Sequence, residues 1–340
     1  MAQIVQIKTG DAATIEQEIV PECALVLVDE SGYDSMCTSH RMRTAGSPLP
    51  FPDLEGRHPC FSVTAEGHAR HGRLHLPVSP GCNIACRFCK RDYRNRHDNR
   101  PGVSNRILTP EDALETVHRA LELCPAINVV GIAGPGDTLV TDYAIRTFKL
   151  VHEAYPHLIN CVSTNGLLLA EKAEQLIAAG VRTITVTVNA VEPDILKQIC
   201  SSISYEHHHL VGDAAAQRLI ANQLLGIRTA IELGAVVKIN TVLVPGVNEY
   251  HVGEVARVTA EVGASLINVI PLIPQHELAD VPVPTARQLE RARDDASKYL
   301  TVFSHCQRCR ADACGIPGVN EFAGQLYTDD LPATTTFSHG

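Results

Sequence analysis

The sequence predicts an α/β fold in which six parallel strands, each followed by a helix, close into a partial barrel. Three observations predict it. Between residues 74 and 298 short apolar runs alternate with longer amphipathic ones, strand then helix, six times. The strand runs are apolar nearly throughout, as parallel strands covered on both faces must be. Chemistry-bearing residues fall just after the strands: a cysteine triad after the first, GPGD after the second, STNG after the third and Asn189 after the fourth. An open doubly wound sheet would share the alternation, but function gathered at the C-terminal strand ends is the habit of α/β barrels.

The elements follow in order. A first strand over 74–79 runs into the cysteine loop. Thr109-Pro110-Glu111-Asp112 starts a helix, with a Thr cap, Pro in the first turn and acids at the positive end of the helix dipole. That helix reaches about residue 123. Strands at 127–133 and 159–163 flank a helix over about 143–154, and the next helix stops at Gly180, a C-cap glycine. The fourth strand, TITVTV over 183–188, is rich in β-branched residues. A long helix over about 214–233 stops at Gly234. A strand over 235–243, a helix over about 252–262 ending at Gly263, a strand over 265–271 and a helix over about 285–298 complete the repeat. Outside it lie residues 1–57, an N-terminal extension of unknown role with a short apolar run at 24–28, and a polar, Thr-rich tail over 319–340 that is expected to fray. The domain reading is therefore 1–57, a barrel over 58–300, a cysteine-bearing segment over 301–318 and the tail.

With 340 residues, 45% of them apolar, the chain is long enough for a large core. A formal net charge of −9 argues against nucleic acid as the main partner, because phosphate binding needs a basic face. No run is long and apolar enough for a membrane span, and the first residues lack a signal-peptide pattern, so a cytoplasmic protein is expected. Twelve cysteines in such a chain read as metal ligands and free thiols rather than disulfides.

The chemistry centres on residues 79–90, SPGCNIACRFCK. Cys82, Cys86 and Cys89 form a C-x₃-C-x₂-C triad, with Phe88 just before the third cysteine. Three thiolates in one loop can ligate three irons of a cubane and leave the fourth open, whereas a closed zinc site wants four ligands. After the second strand, Gly134 and Gly136 permit close approach of the backbone to a ligand, and Asp137 suits a ribose or ammonium contact. Ser163 and Asn165 offer a hydroxyl and an amide after the third strand; a tight turn and a capping loop are the plainer readings of these two stretches. Cys306-x₂-Cys309 can chelate one metal centre, and half a zinc ribbon or a redox dithiol are its alternatives. Outside the triad no second C-x₂-C exists to complete a ribbon. The run His207–His209 falls in an expected surface loop and is not read as a metal site. Cys124 and Cys200 receive no role.

The triad with its aromatic residue resembles the signature of the radical S-adenosylmethionine (SAM) superfamily, whose fold is a partial (β/α)₆ barrel. The resemblance narrows over further strings: His58-Pro59-Cys60, GRLHLPV at 72–78, SPGCNIACRFCKR, DNRPGVSNRILTPE at 98–111, AGPGDTL, CVSTNG, VTVNAVEP, NTVLVPGVNE, NVIPLIP and HCQRCRADACG at 305–315. Together, over about residues 57–318, they are similar to the NifB family of nitrogenase-cofactor maturases. The resemblance implies a radical SAM barrel with N- and C-terminal cluster-binding extensions. It implies a SAM-bound [4Fe-4S] cluster on Cys82, Cys86 and Cys89, with SAM lined by Phe88, Gly134, Gly136, Asp137, Ser163, Asn165, Asn189 and Ile270. Two further [4Fe-4S] clusters, called K1 and K2, would be fused around a SAM-derived carbide, with an added sulfur. Their candidate ligands are Cys60, Cys161, Cys306, Cys309 and a histidine, for which His75 is preferred and His68 and His71 are rivals. Cys314 is a possible third ligand at the C-x₂-C pair. Asp98 stands where the family usually has Glu, and would relay protons or act as a temporary ligand. Implied partners are iron–sulfur donor proteins, a carrier or scaffold that receives the product, and an electron donor such as ferredoxin. A radical SAM peptide maturase with auxiliary clusters and a non-enzymatic cluster carrier are the rival readings.

Overall fold

Two sheets make the frame of the computed structural model, which describes Leu54 and residues 56–62, 69–306 and 308–327. Residues 1–41 and 42–340 separate as two units, and every described residue lies in the second. The readings at 24–28, His68 and 328–340 fall outside the described residues.

The strands are β1 (Gly72–His75), β2 (Ile84–Cys86), β3 (Ile127–Ile132), β4 (Ile159–Thr164), β5 (Val181–Thr187), β6 (Cys200–Tyr205), β7 (His208–Val211), β8 (Val236–Leu243), β9 (Leu266–Pro271), β10 (Thr301–Val302) and β11 (Cys314–Gly315). The helices, numbered here in order, are α1 (Pro110–Leu123), α2 (Tyr143–Ala154), α3 (Leu169–Ala178), α4 (Pro193–Leu196), α5 (Gly212–Glu232), α6 (Val252–Glu261), α7 (Ala286–Ser297) and α8 (Ala323–Leu326). The main sheet has the order β10-β9-β8-β5-β4-β3-β1-β11. Its central six strands, β1, β3, β4, β5, β8 and β9, are all parallel, which is the six-unit α/β arrangement read from the sequence. Only β11 runs antiparallel, on the free edge of β1.

Local chemistry explains the helices. On α1 the Thr109 side chain accepts the Asp112 amide at 3.1 Å, and Ala113, Thr116, Val117 and Ala120 form the buried stripe at helical spacing. Helix α7 opens with a full capping box between Thr285 and Gln288. Apolar faces of the helices and the strands meet in one large cluster that includes Leu74, Ile132, Phe148, Leu176, Ile184 and Ile239. A second, smaller cluster of Leu54, Phe61, Val129, Ile159, Val236 and Leu266 carries Cys60 and Cys161 against it. Side chains alternate along a strand, so Cys161 shares the face of Ile159, and Lys238 that of Val236.

Two expectations change. The His207–His209 run is not a loop: β6 and β7 form a hairpin with Ser204 opposite His209 and Tyr205 opposite His208. Glu206 and His207 make its turn with φ of 48° and 64°, a turn that Asn-Gly would ordinarily announce. The three histidines are exposed, as expected. Along the hairpin's other side β6 pairs with β2, so this added three-stranded sheet grips the triad loop. At the C-terminal end, order continues past Gly318 through α8 to Tyr327, which is 2% exposed and donates its hydroxyl to the His75 carbonyl.

Candidate functional site

On the triad side, the loop is clamped from two directions. Strand β2 pairs with β6, placing Cys86 opposite Cys200, and the Cys89 amide donates to the Cys86 carbonyl at 3.0 Å. From the other side the GPGD turn docks on the loop, where Gly136 N donates to Ser79 O and Asp137 N to Gly81 O, both at 2.7 Å. Gly136 is required there, because a Cβ would stand 1.9 Å from the Gly81 carbonyl oxygen. Asn165 Nδ2 reaches Asn83 Oδ1 at 2.7 Å and Cys82 Sγ at 3.9 Å. Phe88 packs with Ile199, Val244 and Leu272.

Asp137, expected to contact the ligand, also binds within the protein. Its carboxylate accepts the Thr164 hydroxyl at 2.9 Å, the Asn165 amide at 2.6 Å and the Leu139 amide at 3.0 Å. With these donors and 5% exposure it is a latch between the second and third loops of the barrel. Burial raises its pKa, against those hydrogen bonds. Ser163 is partly exposed beside it. Asn189 is likewise tied back, accepting the Val242 amide at 2.9 Å, and Ile270 lies half-buried near the end of β9.

The triad thiols fit a cluster that leaves one iron open. All three are partly accessible and lie close enough to influence one another's ionisation. Burial pushes Cys82 up to about 11 and also raises Cys89, while Cys86 is raised chiefly by a hydrogen bond with Cys200. Iron must therefore displace protons on binding. Besides its bond with Cys86, the Cys200 thiol donates to the Ser202 carbonyl at 3.4 Å.

A second donor set stands elsewhere in the barrel. Register places His75 beside Gly131 and Gly131 beside Cys161 on three adjacent strands. Gly131 has no side chain, so the imidazole lies across it, with His75 Cδ2 3.0 Å and Nε2 3.5 Å from where a Cβ would be. His75 Nδ1 contacts the Arg310 carbonyl at 2.9 Å. A carbonyl can only accept, so Nδ1 carries the proton and Nε2 keeps its lone pair. Burial, then the Arg73 charge, holds the His75 pKa down at about 4, so the ring is neutral at pH 7. The rival His71 is instead engaged by the Asn128 amide.

Cys60 completes the set. Its thiol is pushed up to about 12 by burial, is lowered by Lys238, and feels Cys309, Cys161 and Cys306. Cys60 thus lies within electrostatic reach of the other three cysteines. Within the C-x₂-C turn, the Arg308 amide donates to Cys306 Sγ at 3.4 Å, with Arg308 at φ 53°. Such an N–H···S turn is already shaped for a metal-bound thiolate. Cys309 accepts Arg73 Nη2 at 3.3 Å and lines an open cavity of about 960 Å³ together with Asp98. The Asp98 carboxylate is held by Arg100 at 3.3 Å and Asn95 at 2.9 Å. Among the described residues no three of these donors converge on the spacing of a single metal ion.

Cys314 does not join the pair. It is opposite Leu74 in the β1–β11 register, so it shares Leu74's face and is fully buried in the apolar core near Cys124. Sequence reasoning also passed over three residues. Arg73 and Lys238 are cations in otherwise apolar strands, a legible signal; His58, 1% exposed with Nε2 unpartnered, stood in the quoted HPC string. Cys200 became visible only through its strand pairing.

The known proteins that this chain is similar to agree with this geometry. The Radical SAM superfamily matches residues 76–258. The FeMo cofactor biosynthesis protein NifB of Methanocaldococcus infernus is 42% identical over 280 residues, covering 82% of this chain and 92% of that protein. Its namesake in Methanocaldococcus jannaschii is 42% identical over 78% of this chain and 88% of the relative, and that of Klebsiella pneumoniae 39% identical over 83% and 60%. Among solved structures, a radical SAM methyltransferase from Sphaerobacter thermophilus shares the fold, with a TM-score of 0.51 at 19% identity over 68% of this chain and 65% of the other. Among the described residues no helix is long and apolar enough to cross a membrane. With its triad loop clamped by GPGD and a second set of thiols on the same barrel, the chain is a radical SAM enzyme and belongs to the NifB family.

Proposed function

We propose that this enzyme acts in FeMo cofactor biosynthesis, fusing two [4Fe-4S] substrates around a SAM-derived carbide, with an added sulfur, into the 8Fe-9S-C precursor. The observation that carries the reading is the second donor set: neutral His75 aligned with Cys161 across Gly131, with Cys60, Cys306 and Cys309 in electrostatic reach. A radical SAM enzyme whose triad cluster is its sole cluster has no need of four thiols and an imidazole apart from that triad.

When bound, the SAM–cluster pair supplies a methyl group and a 5′-deoxyadenosyl radical. Cys82, Cys86 and Cys89 would hold three irons of the resident cluster. Phe88, Gly134, Gly136, Ser163, Asn165, Asn189 and Ile270 would line SAM, while Asp137 fixes two of those loops together. On the other side Cys306 and Cys309, two residues apart, would hold one iron–sulfur substrate, and Cys60, Cys161 and His75 Nε2 the other. Few ligands for each suit a substrate that must be rebuilt and released. Asp98, which lines the same open cavity as Cys309, would relay protons or act as a temporary ligand. Donor proteins for the two substrates, a carrier for the product and a low-potential electron donor such as ferredoxin are the partners this reaction requires.

The test is to load the reduced protein with iron and sulfide anaerobically, supply SAM labelled in its methyl carbon, and extract the product cluster. Label retained in the cluster is the expected result. SAM cleavage with all label left on small molecules contradicts the reading.

A further inference from the structure

Two buried cations flank the second donor set, one with a half-exposed carboxylate partner and one with none among the described residues. Arg73 is 3% exposed. It donates to the Gly315 carbonyl at 2.7 Å, to Glu321 at 3.1 Å and to Cys309 Sγ at 3.3 Å, and its buried Nε has no partner. Glu321 is half exposed, so water weakens that pair. Lys238 is 5% exposed. It donates to the Cys60 carbonyl at 3.1 Å and stands 5.0 Å from the ring centres of Phe61 and Phe303; it makes no ion pair with a described carboxylate. Burying a charge without a counter-charge costs several kcal/mol, and two carbonyls and two ring faces offset only part of that.

Lys238 therefore lacks a carboxylate partner among the described residues, Arg73 has one that water weakens, and both touch the segments that carry the candidate ligands. A thiolate-bound iron–sulfur cubane is anionic, and reduction makes it more so. We propose that Arg73 and Lys238 are positioning residues whose fixed charges balance an anionic iron–sulfur substrate, Arg73 at the Cys306–Cys309 pair and Lys238 at Cys60 and Cys161. The proposal rests on the reading of those cysteines as cluster ligands. Its consequence is that each cation stabilises its neighbouring thiolates and the reduced form of the cluster they hold. It leaves the resident triad cluster alone, since neither cation contacts the triad loop.

The test is an anaerobic redox titration of the reconstituted full chain with dithionite, followed by electron paramagnetic resonance, for wild type, Arg73→Met, Arg73→Lys and Lys238→Met. For each Met variant the reduced-to-oxidised ratio of one auxiliary cluster at fixed potential should fall by about tenfold, a one-electron shift of about 59 mV. Different auxiliary clusters should move in the two variants, Arg73→Lys should restore most of the ratio, and the triad cluster should stay put as the internal control. Arg73→Gln and Lys238→Gln carry the same expectation should a Met variant fail to fold. Auxiliary clusters that titrate as in wild type overturn the charge-balance role, as does a triad cluster that shifts equally. A wild-type protein that takes up only about four irons overturns the ligand reading itself, and the inference with it.

Discussion

The two sides of this barrel are built on opposite plans. Around the triad Asp137 and the loop backbone have fixed protein partners, and the unpaired buried atoms are the neutral Ser79 Oγ and Asn83 Nδ2. Asp137 is saturated by Thr164, Asn165 and Leu139, and the loop backbone is bolted to Ser79, Gly81 and the hairpin strand β6. Around Cys60, Cys161 and Cys309 the polar groups are buried but incompletely paired: His58 Nε2 and Arg73 Nε lack partners, and Lys238 leans on ring faces. A resident cofactor needs a site of constant shape, which hydrogen bonds provide. A substrate that arrives, is rebuilt and leaves needs a site prepared in charge but completed only by the substrate. The contrast teaches that one barrel carries both duties on shared strands, since β4 bears Cys161 as well as Ser163 and Thr164.

The largest effects should separate the two sides by activity. Cys82→Ala should abolish 5′-deoxyadenosine release, whereas Cys161→Ala should preserve SAM cleavage and lose the carbide-containing product; chromatography of the small molecules with isotope analysis of the cluster decides. Equal loss of SAM cleavage in both variants would break the comparison.

Stability should separate them next. Gly136→Ala must push a Cβ into the Gly81 carbonyl and should cost about 2–4 kcal/mol, seen as a lowered unfolding midpoint in denaturant. Gly131→Ala meets only an imidazole edge at 3.0 Å, so about 1–2 kcal/mol is expected, together with altered histidine coupling in the cluster spectrum.

Acid should act on the substrate side. The His75 pKa is lowered from 6.5 to about 4 in the fold, so the unfolded chain binds the extra proton first. Stability from this group is present above about pH 6.5 and is lost as pH falls toward 4, by up to about 3 kcal/mol, an order-of-magnitude figure. His58, lowered chiefly by burial, acts in the same direction. Unfolding of the metal-free protein across this range should show a shallower pH slope in His75→Gln than in wild type. The smallest effect serves as a control: Thr285→Ala removes the capping box of α7 and should cost about 1 kcal/mol without changing any cluster signal.

What the sequence revealed follows the same division. Strand β5 and helix α1 were legible because β-branched TITVTV and the TPED start act locally. The triad was legible because its three ligands lie in one loop. The latch made by Asp137 was not legible because its donors Thr164 and Asn165 arrive from another loop, 27 and 28 residues on. The hairpin was missed because Glu206-His207 adopts a turn without the usual Gly, and Tyr327 because one buried ring anchors a segment of polar composition. Cys314 shows the limit of spacing: five residues from Cys309 in the chain, it turns into the core because β11 pairs with β1. Arg73 and Lys238 acquire meaning only when the fold has brought them to Cys309 and to the Cys60 carbonyl, 236 and 178 residues away in the chain.

The measurement that tests the two-sided account most directly is the iron content of a variant with Cys82, Cys86 and Cys89 all changed to Ala. Wild type reconstituted anaerobically should hold about twelve irons, four for each of three cubanes, and the triple variant about eight, with its auxiliary signals intact. A variant that holds no iron, or a wild type that never exceeds about four, would contradict the separation of a resident cluster from two iron–sulfur substrates.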